Sequence, residues 1–479
     1  MQKISPIFMY LCENNHIFAQ KITTQMIEKT PEIAQSDLTE AMKLLTDKSH
    51  MPLLKKISNE YDYWDKVKYL APKGISSKAL WHAVKLQRML NSKQISFGRY
   101  TFSFTVTEHM LAMMHEFDLN IGGNLGTDSI IPESDKNFYL VSSVMEEAIA
   151  SSQMEGASTT RKVAKEMLRK KQKPRDKSQK MIANNYATIN YLAEHRHDDF
   201  SLERILEIHR YISADTLDNG GYEGSLRQTD DIVVMNGITG EIAHTPPPHD
   251  EVEGMLRELC DFANTDAPDN FIHPIIKGII IHFMLAFIHP FVDGNGRTAR
   301  SLVYWYMMKK GYWLTEYLSI SRIIYRNKAQ YEKAFLYTEA DGNDLSYFIQ
   351  YNLITMKKAY EELKLYLQRK ISERESMTAL SGMNDINLRQ ARIIKELYKN
   401  GDNIITAKEI ATQFAVTDKT ARTDLQALVR LGIMSEVKLN NRMTGYVRAD
   451  NFEERINELS KGNTEENKGN LRKFAENFP

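Results

Sequence analysis

Residues 289–300 read His-Pro-Phe-Val-Asp-Gly-Asn-Gly-Arg-Thr-Ala-Arg, and the fold class follows from what stands on either side of them. Upstream, His273 to Ile288 is apolar almost all round, which argues for a central helix buried on every face and ending at this loop. Downstream, Arg297-Thr-Ala-Arg-Ser-Leu-Val-Tyr-Trp-Tyr-Met-Met has apolar positions at helical spacing and no breaker, so a second helix begins there. Between them Gly294 and Gly296 bracket Asn295, which lets the backbone take positive φ and turn its N–H groups outward. A mostly α protein organised around this loop is expected.

The loop also concentrates chemistry. The N-terminus of the second helix brings orphan N–H donors and partial positive charge to one point, where an anion is favoured. Arg297 and Arg300, three apart on the first turn, can grip separate phosphate groups with fork-shaped donors. Two cations at a helix N-terminus oppose the macrodipole, so an anionic ligand is expected to compensate them. Asp293 offers the hard oxygen that Mg²⁺ prefers, and His289 offers a neutral imidazole to take a proton near pH 7. The candidate phosphate site is therefore Asp293, Gly294, Asn295, Gly296, Arg297, Thr298, Ala299 and Arg300, with His289 as base. Each residue alone also fits a core histidine, a turn or a solvated arginine face; their convergence in one window is what predicts a site. The Gly-x-x-x-x-Gly-Lys-Ser/Thr phosphate loop does not occur.

The segment matches at every specified position the Fic family pattern His-x-Phe-x-(Asp/Glu)-Gly-Asn-Gly-Arg-x-x-Arg, and the chain resembles that family. Ala299 stands where many relatives carry Gly. The resemblance implies a protein adenylyltransferase that moves AMP from Mg-ATP to a serine, threonine or tyrosine hydroxyl of a target protein, with pyrophosphate leaving. In that scheme His289 deprotonates the hydroxyl and Phe291 anchors the loop. Asp293 binds the Mg²⁺ that bridges the α- and β-phosphates, Asn295 and nearby N–H groups hold phosphate oxygens, Arg297 contacts the outer phosphates and Arg300 the γ-phosphate. Positioning and charge neutralisation would supply most of the rate.

Ser151-Ser-Gln-Met-Glu155-Gly156 matches the family's inhibitory pattern Ser/Thr-x-x-x-Glu-(Gly/Asn). Phe138 to Met154 reads as a helix with Leu140, Val144, Met145, Ala148 and Ile149 on one face and Gly156 as its stop, giving an inhibitory helix over 138–155. A carboxylate at a helix C-terminus is unfavourable towards the dipole and calls for a partner. The resemblance implies that Glu155 pairs with Arg300 and takes away the γ-phosphate clamp. It leaves open that Glu155 serves the reverse reaction, removal of AMP.

Asp230-Asp-Ile-Val-Val-Met-Asn-Gly-Ile-Thr-Gly-Glu-Ile reads as a β-hairpin with an Asn-Gly turn. It corresponds to the family's flap, whose strand at Ile232, Val233 and Val234 would pair with an extended target segment; read on its own it is a loop cover. Tyr331 is a candidate for the adenine pocket and equally a buried core tyrosine, and His282 reads as a core histidine rather than a second base.

The organisation expected is an N-terminal helical region over 1–110 with Trp64 and Trp81 in its core, a Fic-type helical core with a small hairpin flap over 111–365, and a linker over 366–384. A winged helix-turn-helix domain over 385–450 and a polar tail over 451–479 complete the chain. The basic run from Arg169 to Lys177, broken by Pro174, reads as a solvated interhelix loop. Thr406-Ala-Lys-Glu opens a helix with a capping box, Ala415-Val-Thr417 makes the turn, and Asp418 to Leu431 forms a third helix. Its Ala421, Leu425 and Leu428 face inward and its Lys419, Arg422, Thr423 and Gln426 outward, where they would read DNA. Eleven Lys or Arg against eight Asp or Glu over 385–450 is weakly basic, so DNA binding, target recognition and dimerisation stay open.

Whole-chain charge balance, 62 basic against 62 acidic residues, gives no general attraction to nucleic acid or membrane. Two distant cysteines, Cys12 and Cys260, make neither a disulfide framework nor a metal site. No run reaches membrane-spanning length and Met1 to Gln20 lacks a sustained apolar core, which points to the cytoplasm. The functional alternatives are a DNA-binding regulator with a nucleotide-sensing core, AMP removal, and transfer of another nucleotide. Partners would be a target protein or the chain itself, DNA, and a second copy in a homodimer.

Overall fold

Pro274 and the apolar run behind it build the helix on which everything else is arranged. A computed structural model describes residues 27–461 apart from 33, 121–135, 236–239, 313–314, 317, 382–385, 400–402 and 441–442. In order, the helices and strands of the larger part are α1 (Gln35–Thr46), α2 (Met51–Glu60), α3 (Trp64–Val67), α4 (Ser77–Leu90), β1 (Lys93–Phe97), β2 (Tyr100–Phe104) and α5 (Glu108–Asn120). There follow α6 (Lys136–Met154), α7 (Arg161–Arg169), α8 (Lys177–Glu194), α9 (Leu202–Ser213), β3 (Val234–Met235), β4 (Ile242–His244) and α10 (His249–Asn264). The core ends with α11 (Pro274–Ile288), α12 (Asn295–Lys309), α13 (Ile320–Arg326), α14 (Lys328–Ala340) and α15 (Ser346–Ser381).

Helix α11 starts on Pro274 with the His273 side chain accepting from the Ile275 N–H, and it ends where His289 turns left-handed. Nearly all its side chains are buried, so it is the axis of one continuous core that runs from Ala41 in α1 to Leu367 in α15. No break in packing falls at residue 110. Trp64 and Trp81 sit in that core, together with an antiparallel hairpin β1–β2 that periodicity did not reveal. The Arg88 guanidinium donates to Tyr347 at 2.9 Å and Lys85 pairs with Asp341 at 2.7 Å, tying the N-terminal helices to α15 and the turn before it.

Helix α6 buries Val144, Met145, Ala148 and Ile149. Its end is a Schellman motif: Gly156 at φ 93° follows the cap, and Ala157 N–H reaches the Ser152 carbonyl at 3.1 Å. Lys328 donates to the Met154 carbonyl at 3.2 Å, a cation placed where the helix dipole favours it.

The region expected as a linker from 366 is helix as far as Ser381, because α15 continues without Gly or Pro; residues 382–385 are not described. Beyond it α16 (Leu388–Lys399), β5 (Ile405–Thr406), α17 (Ala407–Phe414), α18 (Asp418–Arg430), β6 (Met434–Asn440) and β7 (Met443–Arg448) make a winged helix with sheet order β5-β7-β6. Thr406 and Thr417 cap α17 and α18 through their hydroxyls. The polar tail expected from 451 begins instead as α19 (Phe452–Lys461), with Phe452 and Ile456 buried in the winged-helix core. Its alternating charges hid two apolar positions one turn apart. Met1 to Gln20, Cys12 and the stretch from Gly462 lie outside the described residues. Among the described residues no helix is long and apolar enough to cross a membrane.

Candidate active site

His289 caps α11 with φ 48° and ψ 58°, a left-handed conformation uncommon outside glycine. This stops the helix and turns the imidazole into the loop. Its Nδ1 lies 3.3 Å from the Ala286 carbonyl, which favours the tautomer with the proton on Nδ1 and leaves Nε2 as the acceptor. Burial pulls its pKa down to about 4, against the Ala286 carbonyl and Glu155, which favour the proton. The imidazole is thus neutral at pH 7.

The turn that follows is stapled internally. Phe291 N–H donates to Asn295 Oδ1 at 2.9 Å, and Asn295 Nδ2 returns a bond to the Phe291 carbonyl at 2.8 Å. The Asn295 side chain, which the resemblance assigns to phosphate, is thus engaged in closing the loop by one donor and one acceptor. Gly294 at φ 88° caps α12, which starts at Asn295, two residues earlier than its apolar spacing indicated. Thr298 bonds the Gly294 carbonyl and, like Ala299, is fully buried, so both face the core rather than the anion site.

Arg297 has no exposed surface, yet only one of its nitrogens has a close partner, the Ile212 carbonyl at 3.1 Å. Its Nε and second Nη have none, and Asp293 Oδ1 stands 3.8 Å off. Burial lowers the Arg297 pKa, with Arg300 adding, against Asp293 and Glu155. A desolvated cation with idle donors at a helix N-terminus fits an absent anion.

Arg300 is held by the end of α6. Its Nε donates to Ser151 Oγ at 2.8 Å, and one Nη donates to the Ser151 carbonyl at 2.9 Å and to Glu155 Oε1 at 2.8 Å. Glu155 also lies over the start of α12: a Cβ at Gly296 would overlap its carboxylate. Desolvation works against the charge of the part-exposed Glu155, but Arg300 together with Arg297 and Lys328 outweighs it and the pKa is lowered.

Asp293 is half exposed, with Oδ1 accepting the Gly294 N–H at 2.5 Å. No cluster of three or more metal-ligating side chains occurs among the described residues. A lone accessible carboxylate suits a Mg²⁺ that arrives with water and phosphate oxygens, not one held by protein alone.

Three residues that drew no attention in the sequence hold this loop. His209 stacks on Phe291 with ring centroids 3.7 Å apart and planes 1° off parallel. Its Nδ1 accepts the Gly224 N–H at 3.0 Å, so Nε2 carries the proton and donates to the Asp293 carbonyl at 2.8 Å. Arg227, 2% exposed, donates to the carbonyls of His289 and Thr229 at 3.0 Å and to that of Pro247, and its own N–H reaches the Pro290 carbonyl at 2.9 Å. It ties the loop after α11 to both stems of the hairpin. His244 in β4 bridges Phe287 carbonyl at 2.7 Å and Glu339 at 2.8 Å. The only advance signal was that each is a polar residue inside an otherwise apolar or extended stretch.

The hairpin itself is short. Val234 pairs with His244 and Met235 with Ile242, while Ile232 and Val233 precede the strand and are half-buried; the Asn-Gly turn lies outside the described residues. Tyr331 is 9% exposed with its hydroxyl 2.8 Å from His282 Nε2, and Phe335, Phe348 and Tyr351 surround its ring. Both residues are core, and Tyr331 offers no open face for adenine. Lys419, Arg422, Thr423 and Gln426 are all exposed on α18, remote in sequence from the loop.

Burial also lowers His209 to about 4 and His282 to about 3. An unfolded histidine titrates near 6.5, so between that pH and about 4 the unfolded chain binds more protons. These histidines therefore cost no stability above pH 6.5 and progressively destabilise the fold as pH falls towards 4. The melting temperature should drop between pH 7 and 4.5, with a shallower slope in His282→Gln; an unchanged slope in that variant would contradict the assignment.

Residues 199–307 match the Fic/DOC family model, and residues 389–447 match an HTH domain model. Protein adenylyltransferase fic-1 of Caenorhabditis elegans is 36% identical over 123 residues, 25% of this chain and 22% of that protein. Protein adenylyltransferase Fic of Nematostella vectensis is 29% identical over 126 residues, 26% of each. The matches span about a quarter of the length of these curated relatives. A solved structure of Fic-1 (residues 134–508) from C. elegans aligns over 71% of this chain and 97% of its own at 18% identity, with a TM-score of 0.44.

Proposed function

We propose that this chain, which carries a Fic domain at 199–307 and an HTH domain at 389–447, is a protein adenylyltransferase restrained by its own Glu155. The observation that carries the reading is Arg297: a buried guanidinium with idle donors beside Asp293, Gly296 and the start of α12 asks for a polyphosphate. The adenylyltransferase names of its relatives supply the reaction class.

The acceptor hydroxyl would meet His289 Nε2. Its oxygen bonds to the α-phosphorus as the bond from that phosphorus to the bridging oxygen breaks; the proton passes to Nε2 and pyrophosphate leaves. Arg297 and the N–H groups of 294–296 would hold phosphate oxygens, and Arg300 the γ-phosphate once Glu155 is gone. Asp293 would hold Mg²⁺, which neutralises the polyphosphate charge when bound. The unpaired side of β3 offers a target segment main-chain partners.

Full-length Glu155→Gly, incubated with Mg²⁺ and ATP labelled at either phosphate, tests this. Label from the α-phosphate should stay on protein and label from the γ-phosphate should leave as pyrophosphate. Label retained only from the γ-phosphate would make the chain a kinase instead. No retention from either, with a cell lysate supplied, would favour AMP removal or another nucleotide. Arg297→Met, which preserves volume, should weaken Mg-ATP binding by about ten- to 100-fold, on the scale of one charge-assisted hydrogen bond. The melting temperature of the apo protein reports the separate loss of the Ile212 and Asp293 contacts; unchanged affinity by calorimetry would dismiss Arg297 as the phosphate ligand.

A second reading rests on the HTH match and the exposed row Lys419, Arg422, Thr423 and Gln426: a DNA-binding regulator whose Fic domain senses nucleotide. Sequence-specific duplex binding that is unaffected by His289→Ala and lost on Arg422→Ala would support it.

A further inference from the structure

The winged helix docks on the core at two places, and one of them is α15, against which α16 lies. The other is the hairpin of α6 and α7, the helices that precede and follow Glu155, with α17 lying against both. At this seam Arg169, the last residue of α7, donates to Glu396 of α16 at 3.0 Å and pairs with Glu409 of α17. Within the winged helix, Gln413 of α17 donates to the other oxygen of Glu396 at 3.4 Å, which fixes that carboxylate towards Arg169. Arg169 belongs to the run expected to be a solvated loop, yet it holds two carboxylates from the other domain.

The pair is not a surface ornament. Glu409 is 3% exposed, and its second oxygen has no partner, so loss of Arg169 would strand a buried acid between the domains. A cavity of about 510 Å³ runs beside the pair, walled by Val141 and Met145 of α6 on one side and by Ile404 and Gln413 on the other. Packing at the seam is therefore incomplete around Arg169, which is the residue that spans it to Glu396 and Glu409.

Helix α6 consequently has two jobs on one rigid rod. Met145 borders the winged-helix seam, and Glu155 grips Arg300 ten residues on, about 15 Å along an α-helix. A helix transmits displacement along its length because its hydrogen bonds resist stretching. We infer that the winged-helix domain is a control element of the transfer site, bracing α6 through Arg169 so that Glu155 stays on Arg300. Undocking it would loosen α6 and release Arg300 to the nucleotide. This rests on the inhibitory role proposed for Glu155.

The test uses the full chain as wild type, Arg169→Glu, Arg169→Lys, Glu155→Gly and the double Arg169→Glu/Glu155→Gly. Self-labelling from α-labelled ATP should rise about fivefold or more in Arg169→Glu, the lower end of typical coupling between sites, and stay near wild type in Arg169→Lys. The double should label no more than Glu155→Gly alone, because the brace acts only through Glu155. In parallel, backbone amides 143–154 should exchange hydrogen faster in Arg169→Glu. Wild-type labelling in Arg169→Glu while Glu155→Gly is active would overturn the inference, as would a further rise in the double. If Glu155→Gly itself fails to label, the adenylyl-transfer reading falls, and unchanged exchange across 143–154 would still refute the brace on its own.

Discussion

His289→Ala in the Glu155→Gly background should lower adenylyl transfer by about 10²- to 10⁴-fold, the usual contribution of a positioned general base. The imidazole is the group at the end of α11 that is neutral at working pH, with Nδ1 held by Ala286 and Nε2 left to accept. Its removal breaks only that one long bond, while the loop stays stapled by Asn295 and braced by His209 and Arg227. Nucleotide affinity and melting temperature should therefore be almost unchanged, and the loss should appear in kcat. Because its pKa lies near 4, protonation of His289 removes the base only as pH falls through that value. A rate profile with an acid limb at pH 6 to 7 would assign that limb to another group. Substantial labelling by the variant would mean that solvent or a second residue takes the proton.

Glu155→Gly should raise labelling by about 30- to 150-fold, corresponding to the roughly 2–3 kcal/mol of a hydrogen bond to a charged group. Two distinct obstacles leave together. Arg300 loses its carboxylate partner and becomes available to the γ-phosphate, and the space over Gly296 is vacated for the β- and γ-phosphates. Ser151 still holds Arg300 in place from its hydroxyl and carbonyl, so the arginine stays aimed. Glu155→Gln separates the contributions, since it removes the charge and keeps the bulk: an intermediate rise is expected. If the Gln variant matched Gly, the charge would account for all of the inhibition and the overlap for none. Equal labelling in wild type and Glu155→Gly would refute inhibition by this residue.

Most of the conformation of the 289–300 loop was readable because its cues are local. The left-handed cap at Gly294, the helix after it, the Schellman stop at Gly156 and the Thr406 cap each depend on residues within a few positions of one another. For Asn295 the resemblance implied a phosphate contact, while what the structure adds is that its amide closes the turn across four residues. Thr298 and Ala299 belong to the motif, but helical geometry turns them to the core. Tyr331 was left ambiguous until His282, from a helix far away in sequence, was seen to take its hydroxyl.

What the sequence determined by itself was the loop, its two flanking helices, the motif at Ser151–Glu155 and the winged helix, because periodicity, glycine conformation and capping act over one or two turns. Tertiary structure alone decided that His209 lies under Phe291, that Arg227 ties the loop to the hairpin, and that Arg169 joins the α6–α7 hairpin to the winged helix. Those contacts are made by single polar side chains across 60 to more than 200 residues. A lone buried polar residue leaves no periodic trace; its role depends on which unpaired group the packing of distant apolar faces brings opposite to it.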